Sequence, residues 1–133
     1  MKSVLLLVAA ALVSGCAAGR LYPVQGPLSA QRPPPIYKLR MGNYDAISTR
    51  LANGKLCSGN WLDVVQGDPT ARDMSAEWDL VYGNGFFAAN VLGKNGIARA
   101  ILNCPDEMKV TVEFNSTNGV AKDSNGNVFK LMF

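Results

Sequence analysis

The sequence predicts a mainly β fold: a small antiparallel β meander or barrel-like domain with one short helix. Three observations carry this expectation. Beyond residue 35 the chain breaks into short runs whose apolar side chains recur at every second position, the period of a strand with one dry face. Between the runs stand Gly- and Asn-rich dipeptides of the kind that close hairpins. A single stretch departs from this pattern and shows helical spacing instead. The length, 133 residues, is that of one domain.

Taken in order, residues 36–41 form the first predicted strand, ended by Gly42-Asn43. Residues 44–51 form the second, and Asn53-Gly54 is the strongest turn signal in the chain. Residues 56–65 form the third, with Cys57, Gly59 and Trp61 on one face. Asp68 then reads as a helix cap, followed by proline at the first helical position. Ala71, Met74, Trp78 and Val81 recur at helical spacing until Gly83 stops the run. This apolar stripe is expected to pack on the sheet or to close one end of a barrel.

Residues 86–92 are predicted as a fourth strand, turned by Gly93-Lys94-Asn95-Gly96. In residues 97–104 the side chains of Ala98, Ala100, Leu102 and Cys104 share a face, which points Cys104 inward. The alternation is cleanest in residues 109–115, with Val110, Val112 and Phe114 inward and Lys109, Thr111 and Glu113 outward. Residues 119–123 and 127–133 make a last hairpin around Asn125-Gly126. Outward charges and short strands argue against a membrane-spanning barrel.

Ahead of this domain the composition changes. Lys2 precedes an unbroken apolar run over residues 4–13, and Ser14-Gly15-Cys16 follows. The run is half the length a spanning helix needs, and it reads as the core of a signal peptide. Its ending, Leu12-Val13-Ser14-Gly15-Cys16, resembles the bacterial lipobox. The resemblance implies cleavage before Cys16 and acylation of that cysteine, which anchors the product in membrane lipid. By the same resemblance Ala17, rather than Asp, implies sorting to the outer membrane, with the domain facing the periplasm. Residues 1–15 are therefore expected as the leader, 16–35 as a lipidated Pro-rich tether, and 36–133 as a single disulfide-linked β-rich domain. Pro23, Pro27 and the triplet Pro33-Pro34-Pro35 suggest the extended tether, the alternative being that Tyr22-Pro23-Val24 lies across the domain as an edge segment.

With Cys16 assigned to lipid, Cys57 and Cys104 remain, and export to an oxidising compartment favours their pairing as a disulfide.

Catalytic chemistry finds little support. The chain contains no His, and neither Ser58 nor Ser116 belongs to an S-x-x-K pattern. Asp68, Asp73, Glu77 and Asp79 lie on or beside the predicted helix without a partner group across a cleft. Asp123 to Asn127 looks like a fragment of a calcium loop, but no closing acid follows, and the segment reads as a turn. No enzyme activity, metal or cofactor is expected. Tyr82, Asn84, Phe86 and Phe87 form the candidate binding loop, a set of aromatics beside Gly and Asn. The formal charge is +3, and loss of Lys2 with the leader leaves 12 basic against 10 acidic residues, a net of +2. No run of Lys and Arg points to nucleic acid.

Residues 51–61 (LANGKLCSGNW) and the Gly/Asn-rich C-terminal hairpin resemble small uncharacterised bacterial envelope lipoproteins. That resemblance implies a non-enzymatic binding or structural role, with an envelope protein or cell-wall component as partner. The overall plan is also similar to the membrane-bound C-type lysozyme inhibitors, lipidated small β-barrels with a disulfide. This implies an alternative role as inhibitor of a cell-wall lytic enzyme, which would call for an acidic face.

Overall fold

The computed structural model describes residues 18–133. The leader, Cys16 and Ala17 lie outside the described residues. Eight strands make a closed antiparallel barrel in which each strand pairs with its sequence neighbours and the first pairs with the last. They are β1 (Ala18–Gln25), β2 (Tyr37–Met41), β3 (Ala46–Arg50), β4 (Leu56–Asp63), β5 (Ala98–Asn103), β6 (Lys109–Phe114), β7 (Asn118–Asp123) and β8 (Val128–Met132). Two helices, α1 (Ser75–Tyr82) and α2 (Phe86–Asn90), stand between β4 and β5. Closure leaves no strand edge unpaired, which resolves the exposed-edge problem of a small sheet.

Alternation builds the core. Leu39, Ile47, Leu102, Val112, Phe129 and Leu131 point inward from five strands and are at most 1% exposed, so side chains fill the barrel. A β-barrel that carries a small ligand keeps this space open. Cys57 and Cys104 form a disulfide. The register Ser58↔Asn103 places Cys57 on β4 directly opposite Cys104, the residue that follows β5. The bond thus clamps the strand pair at the end opposite to that where residues 64–97 leave the barrel. Gly59 serves the close approach of the same two strands, because a Cβ there would collide with the carbonyl of Ile101 on β5.

Two elements differ from the sequence reading. Over the described residues the predicted tether is part of the barrel, and residues 26–36 are the connection from β1 to β2. Residues 18–25 form β1, with Leu21 1% exposed in the core. β1 hydrogen-bonds to β2 over Ala18 to Leu21 and to β8 over Arg20 to Gln25. Pro23, the residue that suggested an extended spacer, lies beyond the β2 pairing and beside a register shift against β8, where a missing N–H is tolerated. The second correction is residues 86–92, where 86–90 are helical and 91–92 a turn, rather than extended. Gly85 at φ 86° opens α2, and the Asp79 carboxylate accepts the Phe87 N–H at 2.9 Å, as a cap supplied by the preceding helix.

The other helix follows its sequence signals. The Asp68 carboxylate accepts from the Thr70 N–H, Pro69 opens a 3-10 turn (Pro69–Arg72), and α1 ends at Gly83. Ala71, Met74 and Trp78 are buried as the stripe requires.

Candidate functional site

One outward row of side chains runs around half of the barrel: Arg99, Glu113, Val120, Lys130 and Tyr22 are successive cross-strand neighbours on β5, β6, β7, β8 and β1. The helices lie over this row. Trp78 Nε1 donates to the Glu113 carboxylate at 2.9 Å, and Arg99 Nε donates to its other oxygen at 2.8 Å. Arg99 also donates to the Thr70 carbonyl at 2.7 Å, tying the start of the helical segment to the same knot. Burial pushes the Glu113 carboxyl above its ordinary range, and the bonds from Trp78 and Arg99 oppose that rise without cancelling it. Glu113 does point away from the barrel interior, as the alternation predicts, yet it is 0% exposed because α1 covers it.

The candidate loop is absorbed into this packing. The rings of Tyr82 and Phe86 stack with centroids 4.7 Å apart, and Phe86 stacks on Trp78 at 5.8 Å. The Tyr82 hydroxyl donates to the Gly119 carbonyl at 3.0 Å, and the Lys130 ammonium sits 5.4 Å from the Tyr82 ring centroid. Phe87 is buried, and Asn84 alone of the four is exposed. The structure brings Tyr82, Phe86 and Phe87 together as a small second core with Met74, Trp78, Val91, Ile97 and Val120.

Three of the four acids near the helices are likewise engaged, and Asp73 is exposed. Hydrogen bonds from the backbone and hydroxyl of Thr70 hold the Asp68 carboxyl below its usual range. Glu77 pairs with Lys122 at 3.1 Å, and Asp79 caps α2. In the last turn Asp123 accepts from the backbone N–H groups of Asn125 and Asn127 and from the Asn127 side chain, each at 2.9 Å. Among the described residues no group of three metal-ligating side chains gathers.

Two features had no counterpart in the sequence reading. The first is a basic face. Outward positions of β1, β2 and β3 carry Arg20, Lys38, Arg40 and Arg50 and no acid. Arg20 and Lys38 are direct cross-strand partners, a placement that like charges make unfavourable by a few tenths of a kcal/mol up to about 1. Among the described residues none of the three ion pairs involves these cations. Two open grooves of about 550 and 300 Å³ meet at Lys38 on this face. No Lys/Arg run marks it, because the four residues come from three strands. The only trace in the sequence is alternation, as in Lys38-Leu39-Arg40.

The second feature is an aromatic rim. β1 begins at the end of the barrel where β2, β4, β6 and β8 finish. There Phe133 packs edge-on against Phe114 at 5.9 Å, and Phe114 against Trp61 at 6.4 Å. Tyr44, on the loop joining β2 to β3, is 98% exposed, and Phe133 is 52% exposed.

No family model matches this chain. Neither a curated protein nor a solved structure matches it. The architecture, a closed eight-stranded antiparallel barrel with a helical excursion after its fourth strand, therefore stands on its own geometry.

Proposed function

We propose that the protein is a non-enzymatic lipoprotein, held in the outer membrane by acylated Cys16, whose barrel binds or braces another component of the cell envelope on the periplasmic side. The observation that supports this most directly is the join between leader and fold. Cys16, in its lipobox-like setting, stands two residues ahead of β1. A strand integral to the barrel thus follows the anchor at once. The filled interior and the engaged carboxylates agree with a role carried by surfaces rather than by a reaction cleft. The basic face of β1 to β3 supplies a surface for an anionic partner.

The alternative, inhibition of a lysozyme-type enzyme, needs free carboxylates to meet a basic protein. Glu77 and Asp79 already hold partners within the fold, which leaves Asp68 and Asp73 as the exposed acids of that region and weighs against it.

The test is capture of partners from crosslinked membranes with the native protein and with Cys16→Ala. One specific envelope or cell-wall partner, lost in the variant, is the expected result. Unchanged membrane fractionation of Cys16→Ala would overturn the anchor. Nanomolar binding of added lysozyme, with no resident partner captured, would transfer the assignment to the inhibitor.

A further inference from the structure

We infer that the barrel sits rim-down on the membrane, with the aromatic rim and the adjoining arginines docked in the anionic headgroup layer of the leaflet that holds Cys16. The inference rests on the acylation of Cys16 proposed above and adds the orientation and the ligand chemistry.

Chain length sets the geometry. One residue, Ala17, separates Cys16 from Ala18, a reach of about 7 Å at full extension. Ala18 opposes Arg40 in the sheet, and Arg20 opposes Met132. The ring of Phe133 lies over Gly19, close enough that a Cβ there would stand 3.3 Å from Cδ1. The described chain therefore begins at the rim, beside two arginines and an exposed phenylalanine, and chain reach limits how far Cys16 can be from it. A flexible stalk would let the barrel turn freely, whereas so short a link fixes which end meets the lipid.

The chemistry of that end suits the interface. Tyr44, Trp61, Phe114, Met132 and Phe133 cluster at the rim, and aromatic rings partition to the headgroup level of a bilayer. Arg20 and Arg40 flank the rim on the basic face, where each cation near an anionic surface shifts partition by about fivefold. Asp45 and Asp63 share the rim on its β3–β4 side, so attraction is directed to the β1–β2 side, where the anchor enters.

Brominated lipid tests this. Native protein, its acylation read by intact mass, is added to phosphatidylcholine vesicles with brominated acyl chains, with and without phosphatidylglycerol. The chain has two tryptophans, and Trp61 is the one at the rim. Acylated protein should float with the vesicles and lose about half its Trp61 emission, more with phosphatidylglycerol present. Trp61→Phe, matched to the native protein by thermal melt, should abolish the quenching. Arg20→Glu with Arg40→Glu should lessen it without loss of flotation. Acylated protein that floats unquenched overturns the docked orientation and leaves the anchor standing. Unacylated protein that is still quenched on phosphatidylglycerol vesicles supports docking and overturns the anchor. Unacylated protein that neither floats nor is quenched overturns both.

Discussion

Trp78 Nε1 lies 2.9 Å from the Glu113 carboxylate, and this bond joins the helical excursion to the outside of the barrel. Both residues are 0% exposed, so each polar atom depends on the other for its hydrogen bond. Trp78→Phe keeps most of the ring volume and removes the donor. It should cost about 2 kcal/mol, the range for a hydrogen bond to a charged group, read as a lowered denaturant midpoint with unchanged slope. Loss below a few tenths of a kcal/mol would show that the bond is replaced by water.

Glu113 also predicts a pH dependence. Burial raises its carboxyl above the ordinary value of 4.5. The folded state therefore binds this proton more tightly than the unfolded chain. Its stabilising contribution is complete below the unfolded pKa and is lost as pH rises through the elevated folded value. Thermal melts collected upward from about pH 4 should fall more steeply for the native protein than for Glu113→Gln. Parallel curves would refute the assignment.

The disulfide of Cys57 and Cys104 closes a loop with a sequence separation of 47, enough for about 4 kcal/mol by chain entropy. Reduction, or replacement of both cysteines by Ala, should lower the unfolding free energy by about that amount in urea. Because the bond joins the start of β4 to the residue that follows β5, hydrogen exchange should quicken first in β4 and β5. Quickening first in β7 and β8 would contradict this.

Leu21 distinguishes a strand from a spacer. Leu21→Ala should destabilise by about 3 kcal/mol, as for a buried leucine in a packed core. Pro34→Ala, at an exposed position between β1 and β2, should leave the melt unchanged. Equal, negligible effects of the two would mean that β1 is not part of the stable barrel.

These residues also mark how far the sequence could be read. β2 to β8 were legible because one wet and one dry face impose strict alternation, and because Asn53-Gly54 and Asn125-Gly126 punctuate it. The α1 stripe was legible from Asp68, Pro69 and Gly83. β1 was hidden because Gly19, Pro23 and Gly26 dilute its pattern, and only the distant partner β8 shows why Pro23 is tolerated. Residues 86–90 carry apolar side chains that suit strand or helix equally, and the deciding contact comes from Asp79 of another element. The burial of Glu113 depends on a helix laid across it. The arginines of the basic face meet only after three strands pair, so no local window contains them.

The pairing of β1 with β8 has a consequence in time. A chain emerging from its amino end delivers residues 18–25 first and residues 128–132 last. Until the eighth strand arrives, the first has one neighbour at most, and the unfinished sheet presents two open edges to whatever surrounds it. Closure thus links the earliest and the latest parts of the chain, a contact of high sequence separation that slows folding. Chaperone protection should matter most in that interval, and a chain lacking its eighth strand should self-associate through the exposed edges of β1 and β7.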